Sequence, residues 1–248
     1  MRPADNLLLA GLPDRELDRL WPHLSRVRLR LRETLIAPDE PITAVYFPER
    51  GVLGQVVTLD DGAAVEVGMV GREGVAGLAV WLGATQSPDA VICQVPGSAL
   101  RVSAPAFRDQ LGACPVLRER LQRYTQAILS WRAQIVACDR LHPVQARLAR
   151  WLLKTHDRVD GDAFPVTHEV LALMLGVRRP SVTPAARALR EQGLVEYRRG
   201  TLRILDREGL ERASCGCYWT IRREFDRLGF RPWPAAGERM ERSGRNGS

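Results

Sequence analysis

The feature that most constrains this sequence is a repeat of apolar side chains between residues 115 and 138, where they recur at alternating spacings of four and three without a slip. The repeat comprises Leu117, Leu121, Tyr124, Ile128, Trp131, Ile135 and Cys138. A period of about 3.5 residues is that of a coiled-coil seam, whereas a core helix usually carries a broader apolar face. We therefore predict a long helix that pairs two copies of the chain through these residues. An ordinary core helix is the alternative.

The residues before this helix form short apolar runs separated by turn signals such as Asp60-Asp61-Gly62. Many short strands with close turns are typical of an antiparallel sandwich or roll. Short helices are predicted as well, and Asp14 is expected to cap the first. The predicted strands are 26–32, 42–47, 52–59, 64–70, 91–95 and 99–103, and the predicted helices are 14–22, 75–83 and 104–111.

The residues after the long helix indicate a small helical domain. Following a packed helix over 142–158, Thr167 caps a short helix that ends at Gly176. A second helix follows over about 179–192, and two helices joined by a tight glycine-containing turn are typical of a helix-turn-helix. Two strands within 194–205 complete a wing, and a last helix is predicted within 206–228.

Charge indicates the partner of this domain. The chain carries a net charge of +7, which favours an anionic partner. Between residues 178 and 203, seven arginines stand against two glutamates. Arginine offers paired donors to phosphates and to guanine edges. Because this basic segment coincides with the helix-turn-helix and wing, the sequence predicts binding to double-stranded DNA.

Five cysteines without the spacing of a disulfide framework fit a reducing cytoplasm. Cys138 and His142 lie four residues apart and could share a helix face, and Cys215 and Cys217 are separated by one residue. Each pair lacks a second pair of ligands, so the sequence predicts no metal site. A redox role for Cys215 and Cys217 is the alternative. A signal peptide and a membrane span are not expected either, since no long apolar run follows Met1.

The sequence offers no pattern for catalysis, because no histidine lies in a recognisable nucleophile motif. The histidines are His23, His142, His156 and His168. We therefore predict that the protein is not an enzyme. Gly71 and Gly74 precede a predicted helix and could present backbone N–H groups to a phosphate, with a tight strand-to-helix turn as the alternative.

The order of roll, long helix, helix-turn-helix and wing resembles the Crp/Fnr family of bacterial transcription regulators. The segments that carry the resemblance are YFPERG (46–51), EVGMVGREGVAG (66–77), RLARWLL (147–153) and THEVLALMLGVRRPSVT (167–183). The resemblance implies a cytoplasmic homodimer on a two-fold-symmetric operator, with RNA polymerase as a protein partner and no membrane. The expected fold class is α+β, with a jelly-roll-like, cyclic-nucleotide-binding-like antiparallel β-roll (10–111), a dimerisation helix (112–141), a winged helix-turn-helix (142–228) and a disordered tail (229–248).

Departures from the family concern the signal. Cyclic-AMP-binding members hold the ribose with a Gly-Glu pair, but here Arg72 follows Gly71 and Glu73 comes one place later. Pro88 and Asp89 stand where an Arg-Ser pair would hold the phosphate, and an acid there repels it. Cyclic AMP is therefore not expected to bind. The candidate effector-binding residues are Gly71, Arg72, Glu73 and Gly74.

The first cysteine is Cys93, so the N-terminal iron–sulfur centre of oxygen-sensing members is not expected. The sequence therefore does not identify the effector.

The start of the second helix also departs from the family, whose members read bases with an Arg-Glu pair and a second Arg four residues later. Here Arg179 keeps the first position, while Pro180 and Pro184 take the other two. We predict Arg179 as the base reader, helped by Ser181 and Thr183. We predict that DNA phosphates are bound by Arg178, Arg187, Arg198 and Arg199.

The leading function is a DNA-binding transcriptional regulator. The alternative is a small-molecule sensor that acts through protein contacts, for which the positive charge of the C-terminal region would have no role.

Overall fold

The computed structural model describes residues 4–231. The chain is α+β, with an N-terminal antiparallel sheet, a long central helix and a C-terminal helix-turn-helix domain, which confirms the predicted fold class. Within residues 4–231, no helix is long and apolar enough to cross a membrane.

The N-terminal sheet has five strands in the order β1-β5-β3-β4, with β2 beside β5. The strands are β1 (Ser25–Leu29), β2 (Thr34–Ile36), β3 (Ala44–Thr58), β4 (Ala64–Val70) and β5 (Ala90–Ser103). Two pairs of predicted strands are thus single long strands, since β3 and β5 stay paired through register shifts near Arg50. The bend needs Gly51, whose φ is +85° and whose missing side chain would overlap the backbone of Val95.

Short helices close the roll. They are α1 (Leu7–Ala10), α2 (Asp14–Leu20), α3 (Leu78–Trp81) and α4 (Ala104–Leu111). Asp14 is not the cap that was predicted, because it lies inside α2 and Pro13 precedes the helix. Helix α3 is shorter than predicted, because Ala76 is still bonded to the backbone of Tyr46 and Gly77 then takes φ +90°.

The central helix α5 (Pro115–Leu141) runs as predicted and is held by contacts at its start and in its second half. At its start, the Glu16 carboxylate accepts the N–H groups of Val116 and Leu117, each at 3.0 Å. These are first-turn donors that the helix itself cannot satisfy. Further along, its Trp131 ring packs edge-on against Phe225 of α10 (Cys217–Arg227), with centroids 5.7 Å apart.

Six of the seven residues of the apolar repeat of α5 are buried within one chain, and the seventh, Ile135, is partly exposed. Leu117, Leu121 and Cys138 are 0% exposed, and Trp131 is 2% exposed. The predicted dimer seam through Leu117, Leu121, Tyr124, Ile128, Trp131, Ile135 and Cys138 is therefore wrong, and the alternative of a core helix holds. The roll covers one part of this face and α10 covers the other, so the six buried residues cannot meet a second copy.

The opposite side of α5 carries apolar residues in the open. Leu129 is 57% exposed and Val136, seven positions later, is 67% exposed, with exposed Ala133 between them. We call Leu129, Ala133 and Val136 the outer face of α5.

The C-terminal domain contains four helices before α10 and a three-stranded sheet in the order β6-β8-β7. Its elements are α6 (Val144–His156), β6 (Ala163–Pro165), α7 (His168–Leu175), α8 (Arg179–Glu191), β7 (Val195–Arg198), β8 (Thr201–Ile204) and α9 (Arg207–Ala213). Strand β6 was not predicted. The single helix predicted within 206–228 is two helices, α9 and α10.

The tail predicted from residue 229 begins too early. Phe230 is 1% exposed and packs edge-on against Tyr124, with centroids 5.6 Å apart. The remainder of that predicted tail, residues 232–248, lies outside the described residues.

Candidate nucleic-acid interface

The helix-turn-helix is built by the local signals that predicted it. The Thr167 hydroxyl accepts the N–H of Val170 at 3.3 Å and starts α7. Gly176 ends α7 in the left-handed region, at φ +60°. Val182 and Leu189 are buried on the inner face of α8, so the other face of that helix is left to solvent.

The wing is a two-residue hairpin. Arg199 has φ +48° and Gly200 has φ +80°, the pair of positive values that such a turn requires. Strand β7 is tied to the start of α7, because the Tyr197 ring meets His168 edge-on with centroids 5.3 Å apart. The wing and the helix-turn-helix are therefore held together.

All seven predicted DNA-binding residues are exposed. They are Arg178, Arg179, Ser181, Thr183, Arg187, Arg198 and Arg199. Arg179 lies 2.8 Å from Glu169 and Arg187 lies 2.6 Å from Glu191, both as ion pairs open to solvent. Such pairs contribute at most about 1 kcal/mol, so a phosphate or a base edge can displace the carboxylate. Exposure and charge thus leave these arginines available to an anionic partner.

Pro184 does not delay or stop α8, which begins at Arg179 and continues to Glu191. Pro180 lies in the first turn, where its missing N–H is no loss. Pro184 leaves the carbonyl of Pro180 without its usual donor, and because both residues are exposed, water can take that place.

The candidate effector segment, residues 71–74, is a closed turn. Gly71, Glu73 and Gly74 are buried and Arg72 is partly exposed. The Gly74 N–H donates to the Gly71 carbonyl at 3.1 Å, and Tyr124 of α5 lies where a side chain on Gly74 would be. The geometry is that of the strand-to-helix turn, the alternative to a phosphate cradle.

Asp89 is also engaged within the protein. Its carboxylate accepts from Gln55 at 3.0 Å and lies 3.5 Å from the guanidinium of Arg132 on α5. The acid that the sequence places in the phosphate position is therefore held in the roll by polar partners.

A buried polar cluster joins the roll to the C-terminal domain. We define this interdomain cluster as Glu66 and Glu73 of the roll with Trp151, Lys154 and Arg158 of the C-terminal domain. The Arg158 Nε lies 2.8 Å from a Glu73 oxygen, and both side chains are at most 1% exposed. The Trp151 Nε1 donates to Glu66 at 3.2 Å.

Reasoning from sequence missed this cluster, because 142–158 was treated as an ordinary packed helix. A signal was present: Trp151, Lys154 and Arg158 recur at three and four residues, which places them on one helix face.

The pH dependence of stability tests the cluster. Burial raises the pKa of Glu66 to about 7 from its ordinary value of 4.5, against opposing hydrogen bonds and the charges of Lys154 and Arg150. The protonated acid therefore stabilises the fold fully below about pH 4.5, and this contribution is lost as the pH rises through about 7. Relative to Glu66→Gln, wild-type protein should lose about 3 kcal/mol of unfolding free energy across that window.

Urea titrations of both proteins at a series of pH values measure the difference. A difference that stays constant between pH 4 and 8 would contradict the assigned protonation of Glu66.

Comparisons with known proteins bear on the C-terminal domain and on the fold. Residues 146–213 match the family model of the Crp-like helix-turn-helix domain. No curated protein matches the chain.

Solved structures resemble the whole architecture. FixK2 from Bradyrhizobium japonicum is 18% identical, covers 78% of this chain and 98% of its own, and has a TM-score of 0.66. A CRP-family transcriptional regulator from Thermus thermophilus is 22% identical over 76% of this chain and 96% of its own, with a TM-score of 0.62. The c-di-GMP-responsive global regulator CLP from Xanthomonas campestris is 18% identical over 78% of this chain and 100% of its own, with a TM-score of 0.57.

Fold and family model together define a class of proteins with a roll, a central helix and a winged C-terminal domain that contains a Crp-like helix-turn-helix. Within that class, residues 146–213 belong to the Crp-like helix-turn-helix family, and the chain shares the fold of solved CRP-family transcriptional regulators.

Proposed function

We propose that the protein is a sequence-specific transcriptional regulator that acts as a homodimer on a two-fold-symmetric operator in the cytoplasm. The observation that carries the proposal is the exposed arginine set on α8 and the wing, mounted on a Crp-like helix-turn-helix. A two-fold dimer presents its recognition helices to half-sites about 34 Å apart, one turn of the duplex. Catalysis has no part in this function, and RNA polymerase is the proposed protein partner.

Arg179 is proposed as the base reader. It lies at the start of α8, and in helix-turn-helix proteins the first residues of the recognition helix reach the base edges. Its present partner, Glu169, is exposed and can release it. Ser181 and Thr183 follow on the exposed part of the same helix, whereas Arg178, Arg187, Arg198 and Arg199 are assigned to phosphates.

The outer face of α5 is the proposed dimer contact. Its residues recur at the spacings of four and three that pair helices, and all three are exposed apolar residues in the second half of that helix. The signal is proposed to act at the roll or the central helix. Cyclic AMP is not the proposed effector, because residues 71–74 are closed and Asp89 stands at the phosphate position.

The two roles of arginine predict different losses. Arg179→Ala should cost about 1–3 kcal/mol of DNA-binding free energy and relax the preference at one base pair of each half-site. Arg199→Ala should weaken binding to all sequences alike and reduce the slope of affinity against salt by about one. Selection from a randomised DNA library, followed by salt titration, measures both effects.

An unchanged selected motif with Arg179→Ala would show that another residue reads the base. If the wild-type protein selects no sequence at all, the proposal of a sequence-specific regulator fails and the sensor alternative gains support.

A further inference from the structure

The end of α5 and the start of α10 bring together four side chains that are far apart in the sequence. Cys138 is in the last turn of α5, His142 follows that helix, and Cys215 and Cys217 lie at the start of α10. One ligand atom of each lies within 4.8 Å of all the others. The three cysteines are buried and reduced, and His142 is partly exposed.

The distances are those of ligands around one small ion. The sulfurs of Cys138 and Cys215 are 3.4 Å apart, and the Cys217 sulfur is 3.6 Å from Nδ1 of His142. Zinc lies about 2.3 Å from thiolate sulfur and about 2.0 Å from imidazole nitrogen, so tetrahedral ligands are separated by roughly 3.5–3.8 Å. An iron–sulfur cluster inserts several atoms between its thiolates, which would spread them beyond the observed limit.

The surroundings suit bound thiolates. Gln134 donates its amide N–H to the Cys217 sulfur at 3.1 Å, the kind of outer hydrogen bond that fixes a metal ligand. The nearby positive charge of Arg150 favours the thiolate forms of both Cys138 and Cys215. Three thiolates around a divalent ion leave one negative charge, which Arg150 can balance.

We propose that Cys138, His142, Cys215 and Cys217 form a structural zinc site. The two short motifs, each too small to define a site alone, supply a complete set of three sulfurs and one nitrogen of the kind found in closed zinc sites. The ion would hold the connection between α5 and α6 in place. Its ligands come from the end of α5, from His142 in that connection and from the start of α10. The proposed site shares no residue with the predicted DNA-binding arginines or with the outer face of α5.

Metal analysis of the full-length protein, purified under reducing conditions, tests the site. We expect one zinc ion per chain, and replacement by Co²⁺ should give the thiolate charge-transfer and d–d absorption bands of a tetrahedral site. Cys215→Ser should reduce the zinc content to near zero and lower the thermal midpoint. Cys93→Ala is the matched control, since Cys93 is a buried cysteine in the roll and should leave the zinc content unchanged.

Cys215→Ser could lose zinc because it fails to fold, so His142→Cys provides a second test. It supplies a fourth thiolate, so it should retain zinc and strengthen the charge-transfer band of the Co²⁺ form. The proposal is overturned if folded wild-type protein takes up neither ion, or if it carries iron and acid-labile sulfide instead. Equal zinc contents in the wild type and in Cys215→Ser would also overturn it.

Discussion

Glutamate at both Leu129 and Val136 should convert the protein from a dimer to a folded monomer that no longer binds a two-fold operator. In the proposed dimer these side chains meet their counterparts on the partner, so each carboxylate would be buried without a compensating charge. An uncompensated buried charge costs about 3–5 kcal/mol, which raises a dissociation constant by roughly two to four orders of magnitude. Analytical ultracentrifugation measures the mass, and a DNA titration measures the loss of binding.

The controls separate dissociation from unfolding. Leu59→Glu places the same charge on a leucine that is 59% exposed, away from α5, and should remain a dimer. Ile128→Glu adds a charge next to Leu129 but on the inner face, where Ile128 is 4% exposed, and should instead unfold the protein. If the double variant remains dimeric, the outer face is not the contact between copies.

Removing the arginine of the buried ion pair should produce a large loss of stability. Arg158→Met leaves the Glu73 carboxylate without its cation, at a site where that carboxylate is 0% exposed. Removing one partner of a buried pair costs about 3–5 kcal/mol. The double substitution Glu73→Gln with Arg158→Met removes both charges and should recover part of the loss. Guanidinium titrations monitored by circular dichroism give the three free energies.

An exposed pair provides the matched comparison. Arg123 lies 3.5 Å from Glu119 on α5, and the two side chains are 43% and 64% exposed. Arg123→Met should therefore cost less than about 1 kcal/mol. Equal losses for Arg123→Met and Arg158→Met would mean that burial of the Arg158–Glu73 pair adds nothing to stability.

The elements that the sequence predicts well are those whose signals lie within a few residues. Thr167 and Gly176 mark the ends of α7, and Arg199-Gly200 marks the wing turn, because capping and positive φ are properties of the local backbone. The exposure of Arg179 and Arg187 follows from the helical register, since buried Val182 and Leu189 leave these two on the outer side of α8.

What the sequence could not supply depends on contacts between distant segments. The repeat through Leu121 and Trp131 has the period of a dimer seam, yet the same period faces α10, whose position no local signal announces. The pairs Cys138–His142 and Cys215–Cys217 likewise become one cluster only when α10 returns to the end of α5. In both cases, the local pattern identified residues that lie together and gave no information about which distant segment packs against them.

The return of α10 to α5 also has a consequence during synthesis. Phe225 and Phe230 cover Trp131 and Tyr124, which lie about a hundred residues earlier in the chain. The ribosome adds about 5–20 residues per second, so this part of α5 stays uncovered for several seconds or longer after it emerges. A nascent chain that stalls before residue 217 presents these aromatic rings to solvent. Such chains should be bound by chaperones, whereas chains released after residue 230 can bury the rings.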